Sequence, residues 1–221
     1  TAYAKATDVI TMNITADEDL TAAPTVFIAG RAATVNDVGG SATQYTATLT
    51  TNSTDTQGEV AISINFTDLT GNAGDAVIAT TNNSTVTFDR TAPTLSAVTV
   101  TSNNTNTAYA KEGDIVTLSF SSSENVQDDP VVTIDGNAAT VSGGNATWTA
   151  TYTMQNGDTE GETNFTIDFV DIAGNNGTQV SALTAGNKIL YDETVPQLTT
   201  VDISSNNSNG STLAKVGDVI T

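Results

Sequence analysis

The chain has 221 residues, enough for about two domains of ordinary size. Its 25 acidic and 6 basic residues give a net charge of −19, which argues against nucleic acid or an anionic membrane surface as partner. With no cysteine and no histidine, disulfides, thiolate zinc sites, thiol nucleophiles and the commonest general base are all excluded.

Thr makes up roughly a fifth of the residues, well above ordinary usage, and Asn and Gly are also frequent. Thr suits strands and Asn and Gly suit turns, so the bias points to an all-β protein. No stretch approaches 18 consecutive apolar residues.

In chain order the first pattern is Ala2-Tyr3-Ala4-Lys5 with Asp8, and it returns as Ala108-Tyr109-Ala110-Lys111 with Asp114. A third copy starts at Leu213-Ala214-Lys215 with Asp218. Further matches follow: Glu18 with Glu124, Pro24 with Pro130, Asp68, Gly71 and Asn72 with Asp171, Gly174 and Asn175. The spacing drifts from about 106 to about 103 residues, an indel that the Gly39-Gly40 and Gly143-Gly144 turns accommodate. A repeat this long is a whole domain rather than a solenoid unit. The boundaries predicted are module one at 1–90 without its first strand, a complete module two at 91–193, and 194–221 as the first strand and start of the second strand of a third module.

Module two reads as seven short strands: A at 95–101, B at 115–120, C at 131–134, D at 138–141, E at 147–154, F at 164–170 and G at 188–191. Val116, Leu118 and Phe120 share one face of B. Trp148, Ala150, Tyr152 and Met154 alternate with Thr along E. Period-two alternation with closely spaced turn signals predicts a β-sandwich. By the same parity Trp148 and Tyr45 face a core, not a sugar, and Thr147, Thr149, Thr151 and Thr153 form an outward row. Pro93 and Pro196 mark short, stiff linkers.

These marks resemble a known family. The Asp-x-Thr-x-Pro linkers at 89–93 and 192–196 are joined by Ser123-Glu124-Asn125-Val126, the segment from Asn145 to Tyr152, and Asp171-Ile172-Ala173-Gly174-Asn175. Together they resemble the bacterial immunoglobulin-like repeats of very large cell-surface adhesins and filaments. The resemblance implies tandem immunoglobulin-like β-sandwich modules of about seven strands, end to end. It also implies extracellular or cell-surface display and, in many members, calcium at domain junctions. Module one departs from the pattern, with Thr15-Ala16-Asp17-Glu18-Asp19 in place of the Ser-Glu motif and Leu69-Thr70 inside the Asp…Gly-Asn turn.

Counting strand directions predicts a site. If A runs up, B returns and places Glu124 at the bottom of module two, and F returns Asp171 and Asn175 to the same end. The linker brings Asp89 there. Three carboxylates left together repel one another, and a Ca²⁺ ion taking six to eight oxygens relieves that. The alternative is that these acids only fix their own turns through local hydrogen bonds. Weaker candidates are Asn175 at this junction, Asp17, Glu18 and Asp68 at the bottom of module one, and Asp192 at the top of module two. Asp158, Glu160 and Glu162 read as a solvated acidic loop.

Nothing in the sequence assembles a catalytic group: the four lysines sit apart from any candidate Ser, and the converging acids line no groove, so no enzyme activity is expected. Two functions stay open. One is a spacer or stalk in a long surface adhesin or filament, with neighbouring modules of the same chain as partners and self-assembly into a filament possible. The other is an adhesion module that itself binds a glycan, a cell or a surface. Segments 2–11 and 213–221 duplicate the start of strand B, which a strand swap between subunits does not require; a window on a longer repeat array explains it better.

Overall fold

The computed structural model describes residues 2–221, and they form strands and turns without a helix. In module one these are β1 (Ala2–Ala4), β2 (Val9–Thr15), β3 (Thr25–Ile28), β4 (Arg31–Ala32), β5 (Thr34–Asp37), β6 (Gln44–Thr50), β7 (Gly58–Glu59), β8 (Ile62–Asn65) and β9 (Val86–Phe88). In module two they are β10 (Leu95–Ser102), β11 (Tyr109–Ala110), β12 (Ile115–Ser122), β13 (Val131–Ile134), β14 (Asn137–Ala138), β15 (Thr140–Gly144), β16 (Thr147–Thr153), β17 (Gly161–Glu162), β18 (Phe165–Asp168) and β19 (Leu190–Tyr191).

One sheet of module two has the order β10-β12-β16-β15, antiparallel throughout. The strands opposite are β14-β13-β18 and β11-β19-β17. In immunoglobulin lettering this is A-B-E-D against C-F-G, the constant-type arrangement. The chain is therefore an all-β protein with an immunoglobulin-like sandwich. Alternation along β12 sends Val116, Leu118 and Phe120 inward, and β16 sends Trp148 and Ala150 to meet them. Burial of Val116, Leu118 and Phe120 contributes about 1.5–3 kcal/mol each, opposed by the entropy of ordering the chain. Trp148 and Tyr45 are both buried, and Thr149 on the outer face hydrogen-bonds Ser142.

Three expected strands differ from those observed. Strand D is split at Ala139, whose N–H donates to the Val132 carbonyl. The chain there leaves its pairing with β13 and joins β16, so one expected strand serves both sheets. Strand F stops at Asp168, because β13 offers only four residues to pair with, and continues through single bridges such as Val170 to Asn176. Strand G keeps only Leu190–Tyr191 as ladder, shared between β17 and the parallel β11.

Module one repeats this plan with β2-β6-β5 facing β4-β3-β8 and β1-β9-β7. It has its own core, with Ile28, Ala47 and Phe88 at the centre. Among the described residues no strand lies on the outer edge of β2, where β10 lies on β12 in module two. In both modules a glycine faces an aromatic ring. A Cβ on Gly74 would fall 2.2 Å from Phe66, and one on Gly177 2.2 Å from Phe169.

Beyond the linker at 192–196, residues 204–206 pair with 219–221 around a turn closed by Lys215 and Asp218. Leu198, Val201 and Ile203 are exposed.

Candidate metal centre

The turn from Asp171 to Asn175 is built by its own side chains. Asp171 N–H donates to the Asn175 carbonyl at 3.1 Å, and Asn175 N–H returns to Asp171 Oδ1 at 2.8 Å. Gly174 closes the turn at φ +88°, a conformation that costs glycine nothing. A bridge between Val126 and Asp171 then fixes the B–C loop against this turn. Asp171 is only 1% exposed.

The linker is held from both sides. Asp89 N–H donates to the Ala4 carbonyl of β1 at 2.9 Å, and Asp89 Oδ1 accepts from Thr91 N–H at 2.9 Å. On the module two side, Thr94 and Ser123 exchange hydrogen bonds of 2.8 and 3.0 Å. Asn175 links the parts: its Nδ2 donates to Asp171 Oδ2 at 2.8 Å and to the Asp89 carbonyl at 3.1 Å. Lys5 of module one also reaches the turn, its Cδ 3.6 Å from where a Cβ on Gly174 would stand.

The structure thus brings Asp89, Glu124 and Asp171 together, with one carboxylate oxygen of each within 4.8 Å of the others. Glu124 is half-buried. Burial pushes its carboxyl above the ordinary value of 4.5, and the charges of Asp89 and Asp171 push in the same direction. An all-oxygen, carboxylate-only set suits a hard cation. Ca²⁺–O distances of 2.3–2.6 Å let opposite ligands stand up to about 5 Å apart, so the spacing fits calcium. Asp171 also spends both oxygens on Asn175, as the turn-forming alternative expects.

The other candidates are not gathered. Asp68 forms the turn equivalent to that of Asp171, accepting from Thr70 and Asn72, and the Asn72 hydrogen bonds lower its carboxyl to about 2. Asp17 and Glu18 are exposed, and neither belongs to a three-acid group among the described residues. Asp192 repeats the local geometry of Asp89, accepting from Thr194 N–H, but is exposed. The loop acids each have their own partner: Asp158 takes Tyr152 and Asn137, Glu160 takes Thr194, and Glu162 lies 3.7 Å from Lys188. Sequence reasoning missed Lys5 and the bridging by Asn175. The repeated Ala-Lys…Asp motif marked Lys5, though nothing in it said that the side chain faces the next module.

No protein-family model matches the chain, and no curated protein sequence matches it. Among solved structures it is similar to the D00-D0 domain of intimin, at 15% identity and a TM-score of 0.31, covering 87% of this chain and 96% of that one. It is also similar to SGBP-B of a Bacteroides ovatus mixed-linkage glucan utilization locus, solved with a mixed-linkage heptasaccharide, at 15% identity and a TM-score of 0.23. That likeness covers 86% of this chain and 43% of the other. At these scores neither likeness carries an argument, and the immunoglobulin-like assignment rests on the A-B-E-D strand order of this chain.

Proposed function

We propose that the chain is a length of spacer from a long extracellular or cell-surface adhesin or filament, and that calcium stiffens the junction between its modules. The observation that supports this best is the meeting of Asp89, Glu124 and Asp171. They come from a linker, a B–C loop and an F–G loop, and they meet at the joint between two repeated units. Asp89, Glu124 and Asp171 would hold the ion, and calcium would supply the charge that cancels their mutual repulsion. Asn175 would orient the site by holding the Asp89 backbone and the Asp171 side chain at once. A joint held this way cannot bend without breaking ligand bonds, so flexible beads become a rod. Stalk modules need no pocket and no catalytic group, and the acidic surface suits an exposed, soluble location.

Titration calorimetry tests the site. Calcium is expected to bind at one site per chain with a dissociation constant of about 10⁻⁴–10⁻³ M, the range of extracellular modules. Glu124→Gln is expected to weaken it at least tenfold while leaving the sandwich folded. Absence of calcium binding by the parent chain at millimolar concentration would overturn the calcium reading. Specific binding of a glycan by the isolated chain would replace the spacer role with an adhesion role.

A further inference from the structure

Eleven of the 21 Asn residues open an Asn-x-Ser or Asn-x-Thr triplet, and none of the eleven has Pro in the middle. Ser and Thr together make up roughly a quarter of the chain, so chance placement would give about six. Turn formation does not account for the hydroxyl residue. Asn52 and Asn82 accept from the main-chain N–H two residues on, at Thr54 and Ser84, and at Thr54 the hydroxyl donates as well. Asn104, Asn106 and Asn207 make the same turn onto Asn106, Ala108 and Asn209, which carry no hydroxyl.

The Asn side chains divide by what their Nδ2 does. Asn72, Asn104, Asn137, Asn175 and Asn207 each donate from Nδ2 to a carboxylate, and none of them opens a triplet. Among the described residues no Asn that opens a triplet donates from Nδ2; where such a side chain bonds at all, its Oδ1 accepts. Neighbouring Asn residues split the same way. Asn175 bridges Asp171 and Asp89, while Asn176 beside it opens Asn-Gly-Thr and is exposed. Asn104 holds Asp114, while Asn103 opens Asn-Asn-Thr and is exposed. Module one carries five triplets and module two four, at places that do not correspond. Asn65 at the end of β8 answers to Asp168, and Asn145, Asn164 and Asn176 answer to Ala42, Ala61 and Ala73. A triplet required by the fold would recur in the repeat.

We propose that the exposed triplet Asn residues are sites of N-linked glycosylation, with Asn65, Asn145, Asn164 and Asn176 the clearest. This rests on the extracellular reading above, since the modification acts on an exported chain. The co-substrate is a lipid-linked glycosyl diphosphate, brought by a transferase that reads the hydroxyl residue of the triplet. Nδ2 attacks the anomeric carbon, and the N–C bond forms as the C–O bond to phosphate breaks. The lipid diphosphate leaves, and Nδ2 gives one proton to a base of the transferase. An Nδ2 that already holds a carboxylate cannot take a glycan without leaving that charge a partner short, whereas an idle one can. Asn65 and Asn164 stand on the C-F-G side, Asn145 at the turn between β15 and β16, and Asn176 in the F–G loop. Bulky, solubilising glycans there would coat several faces of the modules and leave Asn175 to the joint.

The test is peptide mass spectrometry of the chain purified from the cells that make it, beside protease shaving of those cells intact. Sugar-sized mass additions are expected on peptides holding Asn65, Asn145, Asn164 or Asn176, and none on Asn72, Asn137 or Asn175. Thr147 is exposed, so Thr147→Val should keep the strand while lowering the occupancy of Asn145 roughly tenfold or more, with Asn164 as the unchanged reference. Thr147→Ser should keep most of the glycan. Four unmodified Asn residues on a chain that shaving removes would overturn the proposal and leave the spacer reading standing. A chain that intact cells protect from the protease would overturn both. Additions confined to Ser or Thr, or an Asn145 glycan that survives Thr147→Val, also count against it decisively.

Discussion

Glu124 is the residue whose charge the junction tolerates least. Its folded pKa is raised by burial and by the carboxylates of Asp89 and Asp171, above an unfolded value near 4.5. A raised acid takes up a proton on folding, so its contribution to stability is greatest below 4.5 and is lost as the pH rises through the folded value. In chelator, module two is therefore expected to gain stability as the pH is lowered from neutrality toward the Glu124 titration. Glu124→Gln should remove that gain, and calcium should suppress it by favouring the ionised form. Chemical denaturation across this pH range, with EDTA and with calcium, checks all three. Asp68 has the opposite sign. Asn72 holds its pKa at about 2, so its stabilisation is present above about 4 and fades as the pH falls through 2. Asp68→Ala should flatten the acid limb of module one between those values, read by the same denaturation series.

At the scale of the elements, the two modules can be compared at one edge: β10 lies on β12, whereas among the described residues no strand lies on the outer edge of β2. Phe120→Ala on β12 should cost about 3–5 kcal/mol, because a ring that is 2% exposed leaves a cavity behind. Ile14→Ala on β2 should cost less than about 2 kcal/mol in this chain, where Ile14 is only half-buried. Calorimetric melting of the two variants measures the difference. Gly177→Ala would put a methyl group 2.2 Å from the Phe169 ring and should cost about 1–3 kcal/mol through forced repacking. Much of this was legible in sequence: alternation along β12 and β16 picked out Leu118, Phe120, Trp148 and Ala150 because one face of each strand is buried and the other is wet. Strand directions alone placed Glu124 and Asp171 at one end of the sandwich. The switch of sheets at Ala139 was not legible, since two-residue ladders carry no period. Nor was the contact of Gly177 with Phe169, which depends on tertiary approach across a loop. The bridge that Asn175 makes between Asp171 and Asp89 was hidden for a similar reason: the motif marks a turn, and nothing in it names the neighbour that the turn will meet.

For the whole molecule, what matters is whether the joint between modules is a hinge or a strut. The contacts between linker and modules, Asp89 to Ala4, Asn175 to Asp89 and Thr94 to Ser123, define one orientation, but hydrogen bonds that water can replace hold it only weakly. Calcium binding to the folded junction adds about 1.4 kcal/mol for each tenfold excess over its dissociation constant. That corresponds to a rise of a few degrees in melting temperature for a domain near 100 residues. The most direct test is the distribution of distances between two spin labels, one on each module, introduced as single cysteines into a chain that has none of its own. A calcium-braced joint gives a broad distribution in EDTA that narrows to a single peak with calcium in the parent chain, and one that stays broad in Asp171→Asn. Distributions that are the same with and without calcium in the parent chain would contradict it.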